Sequence, residues 1–262
     1  MRFVSIASGS SGNCTLVTGE NTAVLIDAGI SCKRITDSLH GLNMDPRDLS
    51  AVFITHEHSD HINGLKTMAK KYGIPVYATA ATIGRIKGDG HVDASLCNSI
   101  KPDTDIVMGD LTVHPFRITH DAVDPVGYRI EHGDKKVAVA TDLGNFTEYT
   151  VSNLKNLDAV LLEANHDIRM LELGPYPYQL KRRILSDYGH LCNERSGQLL
   201  SEVLHDKLKA CMLGHLSKEN NYPDLALMAV KCEVDQADNE YRSGDFDIFV
   251  AERDNVSRII EV

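Results

Sequence analysis

THEHSDH, residues 55–61, is the segment that says most about the fold of this chain. It places four potential metal ligands within six residues: His56, His58, Asp60 and His61. Imidazole and carboxylate groups are the ligands that borderline divalent metals prefer, and this spacing in a turn can aim two pairs of ligands at two neighbouring ions. A short tract so rich in histidine favours a metal site over unrelated polar residues at the end of a strand.

Apolar runs on both sides place the His-rich segment between a strand and a helix. The run Ala51-Val52-Phe53-Ile54 predicts a buried strand. Helical spacing of apolar residues predicts a helix over 62–72 that stops at Gly73. Loops at strand ends are where α/β folds place their chemistry. We therefore expect the segment to form a functional site.

Outward from this segment, strands alternate with helices in both halves of the chain. The first residues predict a β-meander, with a Gly/Ser loop over 8–13. Strands are predicted at 3–7, 15–17, 23–26, 75–77, 104–107, 111–119, 126–131, 136–141, 158–163, 209–213, 246–251 and 257–261. Helices are predicted at 31–42, 79–87, 147–155, 178–186, 194–206 and 223–235. This mixture predicts an α/β protein whose sheets are faced by helices.

The bulk composition is that of an ordinary globular protein. The 262 residues are 42% hydrophobic and 24% charged and contain no Pro/Gly-rich linker, so we expect a single domain over 1–262. No apolar run is long enough for a signal peptide or a membrane span, which predicts a cytoplasmic protein that does not bind membranes. The six cysteines form no CxxC pair, which predicts reduced thiols. A net charge of −10 favours a small-molecule substrate, unless bound cations and a local basic patch attract a nucleic acid.

The His-rich segment matches the HxHxDH signature of the metallo-β-lactamase superfamily, and the chain resembles that family in four further motifs in the same order. These motifs contain Asp27 after the strand AVLI, His120 in ITHD, Asp142 in ATDLG and His215 in MLGHL. The resemblance spans residues 5 to about 220, and the joint occurrence is far more specific than any single motif. It implies an α/β (α+β) fold arranged as a four-layer αββα sandwich.

The resemblance also implies a set of site residues. One divalent ion would be bound by His56, His58 and His120, a second by Asp60, His61 and His215, and both by Asp142. Asp27 and His166 would orient these ligands through hydrogen bonds, although a turn at Asp27 and a helix start at His166 are the alternative explanations. Two ions of Zn, Mn or Fe would ionise a bridging water as the nucleophile and polarise the substrate.

The residues between the last two motifs favour a phosphodiester substrate. Residues 158–166 and 189–194 resemble the corresponding segments of the superfamily's nucleases, in which a histidine at the position of His190 protonates the leaving oxygen. His190 and the metal-binding Asp60 are therefore the expected catalytic residues. Asn193 is expected to be the N-cap of the helix over 194–206, so that its loop would offer backbone N–H groups to a phosphate. The alternative is an ordinary loop and an ordinary cap.

Residues 8–13, 25–30 and 213–221 resemble the bacterial YycJ (WalJ) exonuclease subfamily, with similarity along nearly the full chain. This resemblance implies 5′-to-3′ exonuclease activity on DNA rather than RNA, and DNA (mismatch) repair proteins as partners. Substrate contacts are expected from Ser10, Asn13, Asn193 and Lys218. One departure is Cys192, where the subfamily has serine. The basic run Lys181-Arg182-Arg183 fits a solvated helix face better than a path for a DNA strand.

Other function classes are compatible with the same motifs. A small-molecule hydrolase, such as a thioesterase, lactonase or cyclic phosphodiesterase, would use the same metals, and the acidic composition supports it. A flavodiiron-type redox role fits less well, because those relatives carry glutamate at the position of His58. A non-catalytic metal-binding protein also fits less well, because degenerate members lose ligands and this chain has the full set. The sequence specifies neither which metal is bound nor the oligomeric state.

Overall fold

The computed structural model describes residues 1–90 and 92–262, and the described residues form two mixed sheets flanked by helices. The strands are β1 (Arg2–Ala7), β2 (Cys14–Thr18), β3 (Ala23–Ile26), β4 (Leu49–Phe53), β5 (Val76–Thr79), β6 (Cys97–Ile100), β7 (Ile106–Met108), β8 (Leu111–Arg117), β9 (Val126–His132), β10 (Lys135–Ala140), β11 (Ala159–Glu163), β12 (Ala210–Gly214), β13 (Asp247–Val250) and β14 (Ile260–Glu261). The helices are α1 (Cys32–Gly41), α2 (Ser59–Ile62), α3 (Leu65–Tyr72), α4 (Ala80–Gly88), α5 (Glu148–Leu154), α6 (Ile168–Leu173), α7 (Tyr178–Ile184), α8 (Asn193–Val203) and α9 (Pro223–Gln236).

Each sheet joins an antiparallel half to a parallel half. The first sheet has the order β14-β1-β2-β3-β4-β5-β6, and its strands are parallel from β3 to β6. The second has the order β13-β12-β11-β10-β9-β8-β7, and its strands are parallel from β10 to β13. Neighbouring parallel strands end at the same edge of a sheet, where α/β folds bind ligands. The parallel half of each sheet thus creates an edge suited to a site.

Three apolar cores separate four layers. One core lies between the two sheets and includes Phe53 of β4 and Tyr128 of β9. The others lie between the first sheet and α1, α3 and α4, and between the second sheet and α5, α8 and α9. The predicted four-layer αββα sandwich is therefore confirmed.

An aromatic contact between the sheets supports the end of β4. The rings of Phe53 and Tyr128 meet edge to face with centroids 5.6 Å apart, and the Tyr128 hydroxyl donates to the carbonyl of Ile54 at 2.8 Å. Edge-to-face pairs contribute about 0.5–1.5 kcal/mol beyond the area they bury. This contact fixes the chain at the point where it leaves the sheet for the His-rich segment.

The helix predicted over 62–72 is wrong as a single element. The structure has two helices, α2 and α3, separated at Gly64. The Gly64 N–H donates to the carbonyl of Ala28 at 2.8 Å, and a Cβ at Gly64 would lie 2.1 Å from the carbonyl oxygen of Ile30. The backbone of the β3–α1 loop therefore takes the place that a continuous helix would need.

The remaining differences from the prediction are local. The short elements β6 and α6 are additions to the predicted set, β8 ends at Arg117, and β14 is confined to Ile260–Glu261. Within residues 1–90 and 92–262, we find no helix with the length and hydropathy that crossing a membrane requires.

Candidate metal centre and active site

The predicted ligands, and Asp27 that was predicted to orient them, follow the ends of strands from both sheets. Asp27 follows β3, the THEHSDH segment follows β4, and His120 lies three residues beyond β8. In the second sheet Asp142 follows β10 and His215 follows β12. Strand ends of the two sheets, all but that of β8 in the parallel halves, thus bring side chains that are distant in sequence to one edge.

The backbone is left-handed at three of these strand ends. The φ angles are 63° at Asp27, 61° at Asp142 and 54° at His215. Residues other than glycine rarely adopt this region, and holding one there costs about 1–3 kcal/mol. Nearby polar groups hold the turns, since Ser8 Oγ accepts from the His215 N–H at 2.9 Å and the Asp27 N–H donates to the Phe53 carbonyl at 2.8 Å. Such strain is typical of functional sites.

One group of predicted ligands consists of His56, His58 and His120. The Nδ1 atom of His58 lies 3.3 Å from Nε2 of His120, and one nitrogen from each of the three rings lies within 4.8 Å of the other two. His56 is fully buried, and its Nε2 has no hydrogen-bond partner among the described residues. Burial, reinforced by the nearby His61, lowers the pKa of His56 well below its usual value. A neutral ring with an unpaired nitrogen fits a metal ion.

The other group consists of Asp60, His61 and His215. Asp60 Oδ2 lies 3.4 Å from Nε2 of His61 and 3.3 Å from Nε2 of His215. Burial alone would raise the pKa of the Asp60 carboxyl, but the two histidines outweigh this effect and hold the pKa below its usual value. The ionised carboxylate and the two rings form a second set of donors.

Asp142 lies between the two groups. Its carboxylate oxygens approach Nε2 of His61 at 3.2 Å, of His215 at 3.4 Å and of His120 at 3.7 Å. Burial opposes ionisation here, but His215 and His61 outweigh it and hold the pKa of Asp142 well below its usual value. The donor set and the central carboxylate fit divalent metal binding, because imidazole and carboxylate are the ligands that borderline divalent metals prefer.

Asp27 is placed to orient His61. Its Oδ2 lies 2.7 Å from Nδ1 of His61, while Oδ1 accepts from the backbone N–H of Thr55 at 2.9 Å. Thr55 Oγ1 also lies 3.0 Å from Nδ1 of His56. Hydrogen bonds at Nδ1 fix the tautomer and direct Nε2 of both rings toward the other proposed donors, where a metal would bind.

Glu163 is a site residue that the sequence reasoning missed. Its Oε1 lies 2.9 Å from Nδ1 of His215 and 2.8 Å from Nδ1 of His190, and its Oε2 accepts from the N–H groups of Leu143 and Leu191. Burial would raise the pKa of this carboxyl, but His190 and then His215 outweigh it and lower the pKa to about 2. The one signal in the sequence is an acidic residue that ends an otherwise apolar strand, AVLLE.

His190 lines a cavity of about 260 Å³ above the ligand groups. The other lining side chains include Ser10, Asp121, Tyr176, Leu180, Arg183 and Ser217. The ring of His190 packs between those of His120 and His215, with centroids 5.0 and 5.2 Å away. Because Nδ1 is taken by Glu163, Nε2 is the nitrogen available to a substrate in the cavity.

The four residues expected to contact the substrate differ in their position relative to the cavity, as Ser10, Asn13 and Lys218 show. Ser10 is exposed and lines the cavity. Asn13 is buried, with its Nδ2 3.2 Å from Nε2 of His61, so it contacts a predicted ligand. Lys218 is exposed and is not among the described side chains that line the cavity.

Asn193 differs from its predicted role. The N-cap of α8 is Cys192, so the predicted cap was wrong by one residue. The buried Asn193 side chain instead exchanges hydrogen bonds with Asn221 at 2.8 and 3.1 Å. These bonds occupy its amide and tie the start of α8 to the loop before α9.

His166 and Cys192 are buried and are not among the described side chains that line the cavity. His166 is buried, and its Nδ1 lies 3.2 Å from Oδ1 of Asn165, whose amide donates to the carbonyl of His215 at 2.9 Å. Burial lowers the pKa of His166 to about 4, which leaves the ring neutral at pH 7. Burial also raises the pKa of the Cys192 thiol to about 11, so this thiol is protonated.

Comparison with known proteins identifies relatives along the whole chain. A family model described as a beta-lactamase superfamily domain matches residues 22–207. The exodeoxyribonuclease WalJ of Streptococcus pneumoniae serotype 2 (strain D39) is 38% identical over 264 residues, covering 100% of this chain and 98% of the relative. The exodeoxyribonuclease YycJ of Bacillus anthracis is 38% identical over 237 residues, covering 88% of each chain.

A solved structure agrees with the fold. Zn²⁺-bound PqqB from Methylobacterium extorquens superposes with a TM-score of 0.74 over 100% of both chains, at 16% sequence identity. At that identity the likeness concerns the architecture, and it extends to both sheets and their flanking helices.

Proposed function

The chain belongs to the beta-lactamase superfamily, and from this membership we propose that it is a metal-dependent exodeoxyribonuclease that hydrolyses DNA in the 5′-to-3′ direction. Relatives that carry exodeoxyribonuclease names are similar over its full length. The observation that carries the proposal is the complete set of donors beside a histidine, His190, that is held by a buried carboxylate. We also propose a cytoplasmic role in DNA (mismatch) repair together with other repair proteins.

The donor set divides into two binding positions. His56, His58 and His120 would hold one divalent ion, Asp60, His61 and His215 would hold the other, and Asp142 would contact both. Zn, Mn and Fe all suit imidazole and carboxylate donors. Bound ions of this kind lower the pKa of a water molecule and neutralise charge on phosphate oxygens.

His190 is proposed as the general acid. Its Nδ1 faces Glu163 at 2.8 Å, so the carboxylate fixes the orientation of the ring and directs Nε2 to the cavity. A proton held at Nε2 can pass to the leaving oxygen, which departs poorly as an alkoxide. Asp60 would contribute to the reaction as an ionised carboxylate beside His61 and His215, with which it would bind the second ion.

The acidic surface is compatible with a DNA substrate. The chain carries a net charge of −10, but two bound dications facing the carboxylates of Asp60 and Asp142 leave the centre positive. The attraction for phosphate is therefore local, and a basic surface over the whole molecule is not required.

The test is a comparison of substrates with metal-loaded protein. We expect nucleotide release from 5′-labelled single-stranded or double-stranded DNA, and loss of that activity by at least ~10²-fold in His58→Ala, because removing a ligand removes the metal chemistry. His40→Ala is the matched control, since His40 is an exposed histidine in α1. Turnover of a chromogenic thioester with no cleavage of DNA would contradict the proposal and favour a small-molecule hydrolase.

A further inference from the structure

We propose that Arg183 binds a phosphate of the DNA strand adjacent to the phosphate held at the metal centre. This inference rests on the proposed exonuclease function and assigns a substrate-binding residue to it. The argument starts from the positions of the three consecutive basic residues of α7.

The three basic residues of α7 have different surroundings. The Lys181 ammonium donates to the carbonyls of Glu172 and Gly174 at 2.8 and 2.7 Å, and so ties α7 to the end of α6. The Arg182 guanidinium lies 6.0 Å from the ring centroid of Tyr178, on the outer face of the helix. Of the three, only Arg183 lines the cavity.

Arg183 is held at the rim by Asp121. Its Nε forms an ion pair with Oδ2 of Asp121, and Oδ1 of the same carboxylate lies 3.4 Å from Nε2 of His120. The Asp121 N–H donates to the carbonyl of Tyr188 at 3.0 Å. This bond fixes the backbone of Asp121 and so helps to hold its carboxylate in place. The guanidinium is therefore anchored beside the metal centre.

The outer edge of the guanidinium is free. Asp121 occupies Nε, and neither Nη group has a hydrogen-bond partner among the described residues. The Arg183 side chain is 54% exposed, so a ligand can reach this edge. Two parallel N–H groups match the spacing of phosphate oxygens and bind them bidentately.

The position of Asp121 decides which phosphate Arg183 can reach. Its carboxylate contacts the Arg183 guanidinium through Oδ2 and lies 3.4 Å from Nε2 of His120 through Oδ1, which places Arg183 farther from the metal position than the ligands themselves, on the side where the next phosphate would lie. A nucleic acid offers a second phosphate one nucleoside away, whereas a small diester has none. Arg183 therefore favours a strand over a small diester.

Arg183 is also the one arginine or lysine among the described side chains that line the cavity, where Asp60, Asp121 and Asp142 are acidic. A local cation adds to the attraction that bound metals exert on the phosphates of a strand. Arg183 supplies that charge where the strand would leave the metal centre.

The experiment compares Arg183→Gln with Arg182→Gln in metal-loaded protein. For Arg183→Gln we expect the KM for an oligonucleotide to rise about 10-fold or more while kcat stays within about 3-fold, because a contact made equally in the ground and transition states is lost. Fluorescence anisotropy of a labelled oligonucleotide gives the slope of log affinity against log salt concentration. The magnitude of this slope should decrease by about one. Hydrolysis of bis(4-nitrophenyl) phosphate by Arg183→Gln should fall much less than hydrolysis of the oligonucleotide. For Arg182→Gln the KM and the salt slope should stay unchanged.

An unchanged KM and salt slope in Arg183→Gln would overturn the inference. Equal losses on the oligonucleotide and on the small diester would also overturn it, since they indicate damage to the metal centre. Arg183→Lys keeps the charge but loses the planar fork, and an intermediate KM is expected. If the unsubstituted protein degraded no DNA, the exonuclease proposal would fail, while the anisotropy measurement would still test Arg183.

Discussion

A single buried carboxylate, Glu163, connects two histidines with different proposed roles. His215 Nε2 faces Asp60 and Asp142, whereas the His190 ring lines the cavity. Both rings bind Glu163 through Nδ1. Substitutions at the two ends of this link should therefore have different consequences.

For His190→Ala we expect hydrolysis to slow by about 10²–10⁴-fold, the usual contribution of a positioned general acid. Metal content should be unchanged, because the hydrogen bond of this ring goes to Glu163 and not to a proposed ligand. Steady-state kinetics and elemental analysis of the same preparation check both statements. A parallel loss of metal would show that His190 is a ligand.

Glu163→Gln is the informative comparison for this variant. Its amide keeps the size of the side chain but weakens the bond that orients His215, and loss of such a supporting bond typically lowers metal affinity about 10–100-fold. Lower metal affinity together with a lower rate is therefore expected for Glu163→Gln, in contrast to His190→Ala.

At this scale the sequence identified the donors that lie close together along the chain. The four donors of the THEHSDH segment could be grouped as proposed ligands because they occur within a few residues, and the structure places them near one another. Glu163 could not be recognised, since a lone carboxylate at a strand end acquires its role from His190 and His215, which are 27 and 52 residues away. The predicted N-cap at Asn193 was wrong because the apolar pattern does not fix the first residue of a helix to within one position. The Asn193 amide pairs with Asn221 instead.

At the scale of elements, the break between α2 and α3 positions the His-rich segment. Gly64 approaches the β3–α1 loop so closely that a Cβ would lie 2.1 Å from the Ile30 carbonyl oxygen. The neighbouring Gly29 is equally constrained, because its Cβ would lie 1.6 Å from the Asp60 carbonyl oxygen. Glycine at both positions allows the two backbones to pack together.

Gly64→Ala should lower the free energy of unfolding by about 1–3 kcal/mol, the usual cost of forcing extra atoms into a packed region. Gly84→Ala is the matched control, because Gly84 lies in α4 with open space where its Cβ would be. That substitution should raise the free energy of unfolding by about 0.5–1 kcal/mol, since alanine favours helix more than glycine does. Denaturant unfolding of both variants is the measurement.

An undiminished stability of Gly64→Ala would mean that the loop can move away, and that the close approach does not constrain the fold.

Most other elements could be predicted from the sequence. Strands such as β10 and β11 contain apolar runs, and helices such as α1 show clear apolar periodicity. The strand β6 reads CNSI and has little apolar pattern, and α6 is a six-residue helix. Their positions depend on tertiary contacts that periodicity does not encode.

At the scale of the whole molecule, the order of motifs along the chain does not reveal how the site assembles. Asp27 and His56 belong to the first sheet, and Asp142 and His215 belong to the second. They meet because each sheet has a parallel half and the two sheets pack on a common apolar core. The family resemblance implied this assembly, whereas composition and periodicity alone predicted only sheets faced by helices.

The overall charge of the chain differs from the local charge at the site. The value of −10 favoured a small-molecule substrate when it was considered alone. The fold concentrates donors for cations at one edge and places Arg183 at the rim of the same cavity. The local field at the site can therefore be positive on an acidic protein.

Elemental analysis of bound metal tests the central claim most directly. Folded protein that is stripped, reloaded with Zn or Mn and passed through a desalting column should retain two divalent ions per chain. The Asp142→Ala variant should lose most of this metal, because that carboxylate lies between both groups of donors, and His40→Ala should retain it. Folded wild-type protein that retains no stoichiometric metal would contradict the account.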